Sequence, residues 1–238
     1  MLRAILFDLD DTLFDHRHCA REALAAVQRT YACFAALEFD RFQHAHAEHL
    51  ETLHLQVLAG ETGIDDARIE RFRRLLAAAD GAEEEAEAVA RTYRACYVAA
   101  RQAVPGAKAL LAHLRRHARI GVVSNNLLSE QREKIEQCAL DTHIDALIVS
   151  EETGVSKPDP RIFEIALAQL GAAPDEALMI GDSWTADIEG ARAAGIPAIW
   201  FNPSGLQAPD PSVPQIRQLQ PAERVAKTIL DTYRAHRN

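Results

Sequence analysis

The chain lacks the features that mark secreted, membrane-spanning and polyanion-binding proteins. Its four cysteines, Cys19, Cys33, Cys96 and Cys138, are scattered and form no C-x-x-C pair. They read as small hydrophobes in a reducing compartment rather than as a disulfide framework or a metal site. No basic region followed by an apolar stretch stands at the N-terminus, and no apolar run approaches the length that spans a bilayer. The expectation is a soluble cytoplasmic protein with no membrane partner. Basic charge is also short: 26 Lys and Arg face 35 Asp and Glu, a formal net charge of -9. That balance argues against nucleic acid polymers and anionic membranes as partners, so any phosphate ligand must be bound locally. No internal repeat is evident. What is present is apolar residues, 48% of 238, enough for a full core in one large domain or two modest ones.

Five short apolar runs read as strands: Arg3 to Leu9, Arg119 to Ser124, Ala146 to Ser150, Ala177 to Gly181 and Ala198 to Phe201. Their near-continuous apolar character suits strands covered on both faces. Helical patterns alternate with them at Ala107 to His117, Glu130 to Ala139, Pro160 to Leu170 and Ala186 to Ala194. The alternation predicts an α/β fold, a doubly wound, Rossmann-like parallel sheet with its ligand site at the carboxyl ends of the strands. Residues 15–103 break the rhythm with helical patterns alone: Cys19 to Phe34, Phe39 to Leu58, Asp65 to Ala78 and Glu83 to Ala103. We expect a core of residues 1–14 and 104–238 and an inserted all-helical domain of residues 15–103. The insertion begins just after the first strand, which predicts a lid. Asn202 to Val213 reads as a surface loop, and a last helix is expected near Pro221 to Arg234.

Chemistry gathers where the apolar runs end. Asp8 and Asp10 follow the first run at i, i+2, so both carboxylates leave the strand end on the same side. Like charges held together need a positive partner, a divalent metal or a lysine. An isolated D-x-D reads more readily as a turn cap beside a solvated acid, and it is the later signatures that reverse this. Ser124, Asn125 and Asn126 end the second run with a hydroxyl and two amides that suit phosphoryl oxygens, although such a triplet is also an ordinary turn. Lys157 sits in the proline-flanked Ser156 to Pro160 segment, a candidate for a fixed positive charge or a plain surface lysine. Asp182 follows Gly181 at the fourth strand end, and Asp187 lies one turn into the next helix, facing the same cleft or answering the helix dipole. Trp184 reads as a packing or rim residue. His44, His46, His49 and His54 share one helix, but i, i+2 partners diverge, so a solvated face is favoured over a metal site. Glu83 to Glu85 reads as helix N-terminal charge.

Taken in order, D-x-D-x-T (Asp8, Asp10, Thr12), S-N (Ser124, Asn125), K-P (Lys157, Pro158) and G-D-x-x-x-x-D (Gly181, Asp182, Asp187) resemble the haloacid dehalogenase-like (HAD) hydrolase superfamily. The resemblance covers Leu2 to Phe201, and the helical insertion is similar to that family's C1-type cap. It implies Asp8 as the nucleophile forming an aspartyl-phosphate, and Asp10 as acid and then base. It places Thr12, Ser124, Asn125 and Lys157 around the phosphate, with Thr12 also buttressing its loop. It implies Mg²⁺ as cofactor, held by Asp8, Asp182, the backbone carbonyl of Asp10, and Asp187 directly, through water or through Lys157. Dehalogenases of the superfamily lack an acid at the position of Asp10, so the resemblance favours phosphomonoester hydrolysis of a small phosphorylated metabolite. The segments Phe7 to Asp15, Ser150 to Gly154, Gly181 to Asp187 and Trp200 to Pro203 are similar to the pyrimidine 5′-nucleotidase branch, which points to nucleoside 5′-monophosphates. Asn126 departs from that branch, which commonly has glycine there. Phosphoglycolate or a sugar phosphate is the alternative substrate; a dehalogenase and a non-catalytic binding protein are further alternatives.

Overall fold

The computed structural model describes residues 1–236. The chain divides into two compact units, His16–Arg101 and Met1–Asp15 together with the chain from Gln102 onward. The second of these is built on an all-parallel sheet of β1 (Ala4–Phe7), β2 (Arg119–Ser124), β3 (Ala146–Val149), β4 (Ala177–Gly181), β5 (Ala198–Phe201) and β6 (Gln215–Ile216), in the order β3-β2-β1-β4-β5-β6. Every residue of β1, β4 and β5 is buried, as expected for strands covered on both faces. Chain order runs outward in opposite directions from β1 and β4, which places a topological switch point between those two neighbours. Ladder pairing continues one residue past β1, where the Asp8 amide donates to the Ile180 carbonyl at 3.0 Å. Aspartates that follow β1 and β4 are thereby delivered side by side. Strand β6 is two residues long and follows the expected loop; so short a run carries no periodicity from which to read it.

The helical unit contains α1 (His16–Thr30), α2 (Ala32–Ala35), α3 (Phe39–Leu58), α4 (Ile64–Ala78) and α5 (Ala86–Ala99), with a short 3-10 turn at Glu83–Glu85. Helix α1 packs on α5, α3 on α4, and α4 on α5. Glu38 caps α3, its carboxylate accepting from the Asp40 and Arg41 amides at 3.1 and 2.9 Å. Leu24, Phe34, Phe72 and Leu76 are fully buried, and Phe34 stacks on Phe42 at 4.8 Å.

The histidine-bearing face of α3 is not uniformly solvated. His44 is exposed and pairs with Glu48 at 3.3 Å, but His46 is 2% exposed and packs against Tyr93 and Phe72 at 4.8 and 5.8 Å. Two residues along a helix rotate the side chain by about 200°, so one imidazole points out and the other in. Burial, and then Arg71, His16 and His49, hold the His46 pKa well below its ordinary value. A depressed histidine pKa contributes stability that is whole above the unfolded value of about 6.5 and is lost as pH falls through the folded one. We expect the melting temperature to fall between pH 7 and pH 5 by more in the wild type than in His46→Phe. Equal slopes in calorimetry would contradict that role for His46.

Helices α6 (Ala107–Leu114), α7 (Leu128–Gln137), α8 (Ser150–Thr153), α9 (Pro160–Leu170), α10 (Gly190–Ala193) and α11 (Ala222–His236) belong to the α/β unit. Asp159 caps α9, accepting from the Arg161 amide at 3.0 Å, with Pro160 in the first turn. The helix expected from Ala186 starts earlier, as a π turn over Trp184–Glu189 that runs into α10. Trp184 packs edge-on against Trp200, ring centroids 5.2 Å apart.

Candidate active site

Four strand-derived segments meet beyond the carboxyl ends of β1, β2 and β4. After β1 the chain makes a tight turn, with the Leu13 and Phe14 amides donating to the Leu9 carbonyl at 2.9 and 2.8 Å. Asp11 occupies the left-handed region at φ 64°, which aspartate tolerates better than most residues. Asp8, at the strand end, is 7% exposed.

Lys157 is the hub. Its Nζ donates to Asp8 Oδ1 and to Asp187 Oδ1, both at 2.6 Å, and the lysine is 6% exposed and Asp187 fully buried. Asn125 holds the lysine backbone: its Nδ2 donates to the Lys157 carbonyl at 2.8 Å and its Oδ1 accepts from the Lys157 amide at 2.7 Å. Both ends of the Asn125 amide thus engage the Lys157 backbone and help to place it. Asp187 is fixed further by the Ser183 amide, which donates to its Oδ2 at 3.0 Å. Gly181 makes this arrangement feasible, because a Cβ there would lie 2.2 Å from Asp187 Oδ2.

Thr12, expected among the phosphate-holding groups, is fully buried, and its Oγ1 accepts from the Asp182 amide at 3.1 Å. It braces the loop after β1 against the loop after β4, and its hydroxyl is turned inward. Trp200 Nε1 donates to the Asp182 carbonyl at 2.8 Å, so a strand one place further out steadies the same loop. Ser124 is 2% exposed and accepts from Gln131 Nε2 at 2.5 Å.

Asp10 belongs to a second cluster. Lys134 Nζ donates to both its carboxylate oxygens, at 2.6 and 2.9 Å, and Gln131 Nε2 donates to Oδ2 at 2.9 Å. Asn126 Nδ2 reaches the same oxygen at 3.4 Å. Lys134 is 4% exposed and Gln131 fully buried, with the ammonium also 5.1 Å from the Phe14 ring centroid. The sequence did not single out Gln131 or Lys134. They lie at i, i+3 within Glu130-Gln131-Arg132-Glu133-Lys134, a run that reads as an ordinary charged helix face.

Carboxylate oxygens of Asp8, Asp182 and Asp187 lie within 4.8 Å of one another. Three carboxylates against the Lys157 ammonium leave two negative charges within this set of four. Burial pushes the Asp8 carboxyl well above its usual range; Lys157 opposes this, and Asp187 and Asp182 add to it. Burial alone would lower the Lys157 pKa, but Asp187 and Asp8 outweigh it and hold the ammonium above its ordinary range. A surplus of hard oxygen donors around one point suits a small divalent cation, so the residues present fit that group.

The site and sheet together define an α/β protein with an acid–lysine centre at its topological switch point. The chain belongs to the haloacid dehalogenase-like hydrolases, whose family model matches residues 2–195. It is 34% identical to the phosphoserine phosphatase of Thermus thermophilus, over 91% of this chain and 95% of that one. It is 32% identical to the ribulose-1,5-bisphosphate 5-phosphatase of Halopiger xanaduensis, over 86% of each. Pyrimidine 5′-nucleotidase YjjG of Escherichia coli is 38% identical, over 47% of this chain and half of its own length. Among solved structures, the HAD-hydrolase YfnB of Bacillus subtilis, bound to magnesium, superposes with a TM-score of 0.72 at 25% identity, covering 94% of this chain and 98% of that one. No helix of the described residues is long and apolar enough to cross a membrane.

Proposed function

We propose that the protein is a Mg²⁺-dependent hydrolase of small phosphomonoesters that works through an aspartyl-phosphate on Asp8. The observation that carries this reading is the pair of unlike carboxylates after β1: Asp8 buried against Lys157, and Asp10 held apart by Lys134 and Gln131. Asp8 Oδ attacks phosphorus, and Lys157 keeps that carboxylate oriented while offsetting charge on the phosphoryl oxygens. Asp10 gives a proton to the departing ester oxygen, then takes one from the water that releases phosphate. Ser124 offers its hydroxyl at the phosphate side, and Asn125 acts through Lys157. Asp8, Asp182, the backbone carbonyl of Asp10 and Asp187, directly or through Lys157, would hold Mg²⁺. When bound, the cation neutralises the acid cluster and polarises the phosphoryl group.

The relatives carry phosphatase names with different substrates, which supports the reaction class and leaves the ester open. The similarity to YjjG and the segments Phe7 to Asp15 and Trp200 to Pro203 favour a nucleoside 5′-monophosphate. The helical insertion is assigned the part of substrate-selecting cap, on the strength of its entry point directly after the Asp8–Asp10 loop. A phosphate-release panel of nucleotides, sugar phosphates and phosphoglycolate, run with Mg²⁺ and again with chelator, tests the proposal. Release from at least one ester that chelation abolishes is expected; silence across the panel would refute it.

Lys134 is expected to act as a positioning residue for Asp10. Lys134→Met should lower kcat for an alkyl phosphate by about 10- to 100-fold. An aryl phosphate whose leaving group departs unprotonated should be slowed much less. If both esters lose the same factor, Lys134 has only a structural part.

A further inference from the structure

Arg71, on α4, is the anomaly of the helical unit. It is 7% exposed, its Nε is sealed from solvent without an acceptor, and among the described residues no carboxylate, carbonyl or hydroxyl accepts from its guanidinium. What surrounds it is aromatic: the guanidinium carbon lies 5.0 Å from the Tyr93 ring centroid and 5.3 Å from that of Phe72. Beside it His46, 2% exposed, has an Nε2 that is also sealed and without a partner, in an imidazole 4.8 Å from the Tyr93 ring. Removing a guanidinium from water without an anion is costly, and aromatic faces return only part of that cost. A core that needed only packing would carry an apolar residue at this position of α4, between Ala67 and Leu75 on the same buried face.

We infer that Arg71 and His46 form an anion-binding site in the helical unit, with the planar guanidinium fork as its floor and a carboxylate or phosphate group as its ligand. The fork matches either anion bidentately, and the neutral imidazole can supply one further N–H. The charges that act on these two side chains reinforce the preference. Burial, and then Arg68 and Arg94, lowers the Arg71 pKa against the opposing effect of Tyr93 and Tyr97, and burial, Arg71, His16 and His49 lower that of His46. The anion has two sources, a second acidic group on a substrate or a free anion. The site stands without the phosphatase reading; only the choice between those sources rests on it.

Malonate, a carboxylate probe, is titrated into the metal-free full-length chain while the melting temperature is followed. The wild type should shift upward with dose, and Arg71→Met should require at least about tenfold more malonate for the same shift, the usual scale of a lost charge-assisted contact. Without malonate, Arg71→Met should melt no lower than the wild type, because an unpaired buried charge has been replaced by an apolar chain of similar length. Arg71→Lys should keep part of the shift. Equal malonate responses in wild type and Arg71→Met overturn the site, whatever the enzyme hydrolyses. In the second arm, KM is compared for phosphoglycolate and ethyl phosphate. A KM that rises in Arg71→Met for phosphoglycolate alone, with kcat retained, assigns the site to a substrate carboxylate. Unchanged KM values beside an Arg71-dependent malonate shift assign it to a free anion.

Discussion

Asp8→Asn is expected to abolish turnover, with phosphate release reduced by about 10⁴-fold or more for every ester in the panel. The change is nearly isosteric, and the amide oxygen can still accept from Lys157, so the pocket keeps its shape. What disappears is the nucleophile, because an amide oxygen does not displace an alkoxide from phosphorus. The same substitution should leave the metal-free protein at least as stable as the wild type at neutral pH. Asp8 shares its site with Asp187 and Asp182, and removing one of three clustered carboxylates relieves repulsion while Lys157 stays paired with Asp187 at 2.6 Å. The two results belong together: loss of activity with retained or raised melting temperature identifies a chemical role. Phosphate release at wild-type rates would exclude Asp8 as the attacking group. Loss of both activity and fold would show that Asp8 serves structure first.

Legibility in the sequence followed burial. Strands β2, β4 and β5 stand at the bounds read from the sequence, because a parallel strand covered on both faces is written as an unbroken apolar run, as in Ala177 to Gly181. Helices α3 and α9 are equally plain and stand at the bounds read from the sequence. Residues whose chemistry depends on the strand end that carries them were legible as candidates, and Asp8, Asp182, Asp187 and Lys157 do converge. Partners supplied from helix faces were not. Gln131 and Lys134 sit among charges that look solvated, and only the packing of α7 reveals that they are buried against Asp10. Asn125 and Thr12 were legible as site residues, but not in their use. A short polar side chain satisfies whatever backbone group is nearest, here the main chain of Lys157 and the amide of Asp182. His46 shows the same limit in the helical unit, where an imidazole two residues from the solvated His44 lies in an aromatic core.

Removing the hub should have the largest combined effect. Lys157→Met leaves Asp8 and the fully buried Asp187 facing each other with Asp182 nearby and no ammonium between them. Stripping one partner from a buried ion pair costs about 3–5 kcal/mol, and here one cation serves two carboxylates. We expect the metal-free variant to melt well below the wild type and to release phosphate at least about 10³-fold more slowly, since both the orientation of Asp8 and the charge facing the phosphoryl oxygens are lost. The pH dependence should reverse the defect in part. Without Lys157, nothing opposes the burial and the neighbouring Asp187 and Asp182 that raise the Asp8 carboxyl, so the stability it costs is recovered as acid protonates it and lost again as pH rises. Mg²⁺ should also restore melting temperature, by neutralising the same oxygens, without restoring the rate. Lys157→Arg is not expected to rescue either property, because the 3%-exposed side-chain socket is shaped to a point charge on two oxygens and a guanidinium is wider. Calorimetry with and without Mg²⁺ at two pH values, beside single-turnover phosphate release, decides it. An unshifted melting temperature in metal-free Lys157→Met would mean that the acid cluster does not need the lysine, and that the charge balance assigned to this site is wrong.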